Sequence, residues 1–166
     1  PSTQQAILTD IVESLLNHDI TRLLLVNGHG GNDFKQMIRE TGYSFPDMFI
    51  ATCNWFQSVD KELLFENQGD HADEMETSLM LYLRPELVLP KEKWGKGKEK
   101  KNRIQAFSED WLWTERKWSK ITEDTGVGDP ELATGEKGER YFKALTEKIG
   151  KVMYDLSKAD LADLYE

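Results

Sequence analysis

Cysteine is almost missing from this sequence: Cys53 is the single one in 166 residues. That excludes an intramolecular disulfide and suits a reducing compartment, so the cytoplasm is the expected location. Cys53 lies in an apolar run, which reads as a buried structural thiol rather than a nucleophile. A basic excess is missing too. Lys and Arg number 21 against 30 Asp and Glu, giving a net charge of −9 and a pI of 4.9. A nucleic-acid binder carries a basic face, so no nucleic-acid partner is expected. No apolar run approaches the ~18 residues of a membrane span, and no signal-peptide pattern is visible. No membrane partner is expected either. An initiator methionine is also absent. The opening "PSTQQAILTDIVESLL" starts directly in a helical pattern, and the expectation is the later part of a longer chain.

What is present is enough for a core, with 39% apolar and 31% charged residues. The length fits one domain over residues 1–166. A first helix is expected over residues 3–17, with Ser2 as N-cap, Gln5 closing a capping box, and Ile7, Leu8, Ile11, Leu15 and Leu16 as its apolar stripe. "RLLLVN", residues 22–27, is a continuous apolar run of the kind found in covered parallel strands. "DFKQMIRETG", residues 33–42, reads as a short helix with Gly42 as its C-cap. Residues 48–56, "MFIATCNWF", read as a second strand. Residues 70–85 read as a helix that Pro85 stops. Alternating helices and covered strands predict α/β architecture, three-layer α/β/α with a mainly parallel sheet.

The lysine-dense stretch 90–103 reads as a solvated surface loop, with an anionic-substrate lid as the sharper alternative. Trp111, Trp113 and Trp118 are expected in the core or a subunit contact, with a substrate-facing wall as the alternative. The last helix is expected to present Tyr141, Phe142, Leu145, Ile149, Val152, Met153 and Leu156 on one side.

Two constellations carry the chemistry. In "NGHGGN", residues 27–32, Gly28, Gly30 and Gly31 allow a close backbone approach beyond the carboxyl end of a strand, where open α/β sheets bind ligands. The spacing matches neither dinucleotide nor P-loop patterns, and a phosphate cradle gives no reason for His29, a metal-ligand and acid–base side chain. In "DHADEMETS", residues 70–78, a helix would place His71 and Glu74 on one side, as in known metal-ligand pairs. The bland reading is a solvated acidic helix start.

Together these stretches resemble the creatininase family of amidohydrolases. His71-Ala72-Asp73-Glu74-Met75-Glu76-Thr77-Ser78 follows its second motif, with Asp73 where Gly is usual. "GVGDPELATGEKG", residues 126–138, resembles its third signature. The resemblance implies hydrolysis of a C–N bond in an amide, cyclic amide or formamide, with two divalent metal ions (Zn, Mn or Fe) and a small-molecule amide substrate. It implies His29 and Glu74 as metal ligands and His71 as the proton donor to the leaving nitrogen. Asp70 would orient His71, Glu76 would support the metal site, and Asn27 and Asn32 would fix the loop. Creatininase itself carries a carboxylate in the first motif, where Gly31 stands here; Glu74 can take its place, and a substrate other than creatinine follows. The family's Glu-x-His…Asp ligands have no counterpart before His29. The chain is therefore read as the C-terminal part of a longer creatininase-like domain, inactive alone. A sheet left uncovered by a missing first strand favours association between chains, so a homo-oligomer is expected. Other classes remain open: an anion-binding α/β module, or a catalytically incomplete fragment.

Overall fold

A computed structural model describes residues 2–165. The chain divides into two compact units, Pro1–Val59 with Leu145–Glu166, and Asp60–Ala144.

The first unit contains α1 (Ser2–Leu16), β1 (Arg22–Asn27), α2 (Lys35–Ser44) and β2 (Phe49–Asn54). The two strands pair in parallel, with Arg22 opposite Phe49 and Asn27 opposite Asn54. A helical crossover therefore joins parallel strands, as the apolar runs predict. Leu8, Val12 and Met48 form the centre of the core, and Leu23, Leu25, Met37, Phe45 and Ile50 pack against it. Leu23 and Leu25 are two apart, so both point to the same face of the sheet. Val26, on the other face, is exposed.

Four local expectations are corrected here. Helix α1 already includes Ser2, and the Gln5 side chain donates to Thr41 Oγ1 in α2 at 2.8 Å rather than closing a capping box. The tertiary partner displaces the local one. The buried stripe of α1 is Leu8 and Val12, while Ile7 and Ile11 are 54% and 43% exposed. Gly42 is not a C-cap: α2 continues to Ser44 and ends where Phe45 leaves helical geometry while its N–H still reaches Thr41 O. The cysteine is half-buried on β2 rather than enclosed.

The second unit carries α3 (Glu74–Leu83), the short helices α4 (Gln105–Ser108) and α5 (Trp118–Ile121), and the start of α6 (Gly135–Lys158), which runs on into the first unit. Trp111 and Trp113 are not core residues, being 71% and 85% exposed. Along α6, Tyr141 and Leu145 are buried, but Val152 and Met153 are exposed. The lysine-dense loop is solvated and partly paired with acids outside it: Lys96 meets Asp129 and Glu131, and Lys100 meets Glu123. Among the described residues, no helix is long and apolar enough to cross a membrane.

Phe65, Met75, Leu79 and Tyr141 are buried in the second unit, with the Phe65 and Tyr141 rings edge to face at 5.3 Å. The Tyr141 hydroxyl is buried and has no hydrogen-bond partner among the described residues. Burial pushes its pKa up, and the Asp73 charge adds to this. A raised folded-state pKa gives stability that is whole below the unfolded value of ~10 and lost as pH rises beyond it. Tyr141→Phe removes an unsatisfied donor at constant ring packing. We therefore expect it to be neutral or stabilising by up to about 1 kcal/mol at pH 7. It should also flatten the alkaline end of a stability-versus-pH profile. A loss above about 1 kcal/mol in urea unfolding would show that the hydroxyl has a partner after all.

Candidate active site

The NGHGGN loop leaves the carboxyl end of β1 and leads into α2, as expected. Its hub is Asn27, which is buried. Asn27 Nδ2 donates to Asn54 Oδ1 across the paired strand ends at 2.8 Å, and Asn27 Oδ1 accepts from His29 N and Asn32 Nδ2. Asn32 N donates to His29 O, closing the turn. His29 is exposed, and its Nδ1 accepts from Gly31 N at 2.9 Å. Neutral His29 therefore carries its proton on Nε2 in this arrangement. A Cβ at position 31 would lie 3.0 Å from the His29 ring, so Gly31 permits this contact. The N–H groups of His29, Gly31 and Asn32 are thus consumed inside the loop, which leaves little of the open donor nest that an anion-binding module requires.

The second constellation differs from the expectation in one respect that matters. His71 is not on a helix. Asp70 N and His71 N both donate to Val127 O, and Val127 N donates to His71 O, a short antiparallel bridge. Ala72 then turns the chain at φ 51°, and α3 begins at Glu74. Asp73 is its N-cap, accepting from Glu76 N at 2.9 Å, while Glu76 Oε2 accepts from Ala72 N at 2.7 Å. This explains an acid at 73: a side-chain acceptor fits the N-cap position, and the reciprocal Glu76 bond resembles a capping box. His71 and Glu74 consequently do not share a helical face.

Glu74 is fully buried. Its Oε1 accepts from Lys137 Nζ at 2.5 Å, and its Oε2 accepts from Glu66 N and Asn67 N at 3.0 and 2.7 Å. One turn on, buried Ser78 accepts from Thr134 N at 3.2 Å. The second and third sequence signatures therefore interlock at two polar contacts. Asp70 gives both carboxylate oxygens to Arg116, at 3.0 and 2.5 Å. That hydrogen bonding raises the Arg116 pKa above its ordinary value.

Among the described residues, no three His, Cys, Asp or Glu side chains come together as a metal site. Within its own unit, each of the two expected ligands already has a protein partner that a divalent ion would have to replace. Glu74 would have to exchange Lys137 for a metal, and His29 would have to exchange Gly31 N–H or shift its tautomer.

A family model described as creatininase, creatinine amidohydrolase, matches residues 1–153. The chain belongs to the creatininase family. A Bacteroides fragilis structure, provisionally named a creatinine amidohydrolase, is 45% identical with a TM-score of 0.90, covering 99% of this chain and 64% of that one. Two creatininase structures, one of them a variant complexed with creatine, are each 21% identical with a TM-score of 0.74. They cover 95% and 96% of this chain, and 66% and 65% of their own. Other creatininase structures are described as a Zn-Zn type and a Mn form. At 21% identity these creatininases speak for the fold alone, which is creatininase-like α/β. None of the curated proteins matches the chain. This creatininase-family chain spans less than two thirds of the first of these relatives, 64% of its length.

Sequence reasoning passed over three residues that organise the site. Lys137 sits in the quoted third signature and could have been paired with a buried acid in the second. Asn54 follows from aligning two parallel strands that both end in Asn. Arg116 carried no signal, since its partner is 46 residues away.

Proposed function

We propose that this chain is part of an amidohydrolase that cleaves the C–N bond of an amide, cyclic amide or formamide other than creatinine. Water adds to the carbonyl carbon, the C–N bond breaks, and the leaving nitrogen takes a proton, giving a carboxylic acid and an amine. His71 is the proposed proton donor, within the general-acid role of a positioned imidazole. Membership of the creatininase family over residues 1–153 carries this reading.

Two divalent ions, zinc or manganese by analogy with the related structures and iron by donor chemistry, belong to the proposal for a longer protein. His29 and Glu74 are the ligands this chain offers, and residues beyond it would complete the set. No step is assigned to the ions, because both ligands are engaged by protein partners. Asn27 and Asn32 are proposed to fix the loop, Gly28, Gly30 and Gly31 to let substrate approach, and Glu76 to support the site. Asp70 is proposed to act through Arg116.

The test is hydrolysis of a panel of formamides and cyclic amides, measured on the 166-residue chain and on a protein in which it continues upstream. The chain alone should bind zinc or manganese weakly and turn nothing over. In the longer protein, His71→Asn should lower kcat by ~10²- to 10⁴-fold, the range for a lost general acid. Turnover by the variant within about twofold of the parent would remove His71 from the chemistry.

A further inference from the structure

An imidazole that donates a proton in a reaction is normally oriented by a hydrogen bond from its other nitrogen to a carboxylate or carbonyl. His71 lacks that support. Among the described residues, neither ring nitrogen has a hydrogen-bond partner, and the adjacent Asp70 carboxylate is fully engaged by Arg116. What the ring does touch is Trp118. The two centroids are 4.9 Å apart and the planes tilt by 56°, within the range of favourable aromatic pairs. The Arg116 guanidinium lies 5.0 Å from the same indole, a cation–π distance. The contacts form a closed circuit: Asp70 holds Arg116, Arg116 covers Trp118, Trp118 meets the His71 ring, and the backbone joins His71 to Asp70. Val127 pins that backbone from the other side.

We infer that Trp118 is a positioning residue for His71, held in place by the Asp70–Arg116 pair. The inference rests on His71 as proton donor, and it adds what fixes the ring. Main-chain bonds to Val127 set where the Cα sits but leave both side-chain torsions open. Packing against an indole at this tilt restricts them without occupying either nitrogen, so one stays available to give a proton and the other to regain one. Arg116 and Trp118 lie in the exposed stretch 109–120, and Trp118 belongs to the tryptophan cluster that the sequence offered as a candidate substrate-facing wall. In this role the stretch acts on the imidazole first.

The experiment has two readouts on the longer protein. The first is proton NMR of the His71 ring, assigned as the histidine signals that disappear in His71→Asn. The indole should displace the His71 ring protons upfield. Trp118→Leu should abolish this displacement, Trp118→Phe should retain part of it, and Arg116→Met should reduce it, with His18 and His29 unmoved. The second is steady-state amide hydrolysis. Trp118→Leu should lower kcat by ~10- to 100-fold, the scale of a misplaced catalytic group. KM should stay unchanged, and Trp118→Phe should rescue most of the loss. Arg116→Met gives the same reading if Trp118→Leu does not fold. Unmoved His71 resonances overturn the inference whatever the kinetics. Moved resonances with kcat intact, or a loss in KM alone, also overturn it and make Trp118 a packing or substrate-wall residue. A His71→Asn variant that keeps its kcat is a different failure: it removes the proton-donor reading, while the NMR result still reports whether Trp118 orients the ring.

Discussion

Lys137→Met is expected to destabilise the protein by ~3–5 kcal/mol, the cost of leaving a buried carboxylate without its partner. Glu74 has no solvent exposure, whereas Lys137 is 24% exposed, so the lysine is the pair's contact with water. Removing it strands a negative charge whose remaining partners are two backbone N–H groups. Those bonds are charge-assisted but do not neutralise the charge. Adding Glu74→Gln to Lys137→Met should recover a large part of the loss. The amide oxygen still accepts from Glu66 N or Asn67 N, and nothing charged is left buried. A double-mutant cycle in urea should therefore show coupling of up to ~3 kcal/mol. A single-variant loss below about 1 kcal/mol would mean that Glu74 is reached by water in the folded protein. It would also free Glu74 for the ligand role proposed above.

The second large effect concerns Gly138 and reverses an ordinary rule. Within a helix, Gly→Ala normally stabilises by ~1 kcal/mol. A Cβ at Gly138 would lie 1.9 Å from Ser78 O and 2.5 Å from Ser78 C, both main-chain atoms of α3. Neither can step aside as a side chain would, so α3 and α6 must separate where Ser78 and Thr134 bond. Gly138→Ala should then cost ~1–3 kcal/mol or more, as overpacking does. Gly150 is the internal control. It lies in the same helix, with nothing within 4 Å of its Cβ position, and Gly150→Ala should stabilise by ~0.5–1 kcal/mol. Equal thermal shifts for the two alanines would show that the close crossing of α3 and α6 does not exist.

Much of the frame was legible before any coordinates. "RLLLVN" and "MFIATCNWF" read as parallel strands because apolar composition and β-propensity act residue by residue, although the second ends at Asn54. The loop beyond β1 was legible because three glycines around one histidine have few other uses. Helix ends were less so. Gly42 looked like a cap, but the chain needed no left-handed residue there. His71 looked helical, but two main-chain bonds to Val127, 56 residues on, hold it extended until Asp73 supplies the cap.

By itself, then, the sequence determined the first helix, the two strands, their parallel pairing and the three signatures that mark the creatininase family. Each of these depends on composition or order within a short window. Only the tertiary structure decided which partner each polar group takes. Glu74 went to Lys137, 63 residues away, Asp70 to Arg116 at 46, and Gln5 to Thr41 at 36. No periodicity reaches across such separations. A buried or paired charge is satisfied by whatever donor folding brings within hydrogen-bond reach, and that choice exists only once the elements have packed.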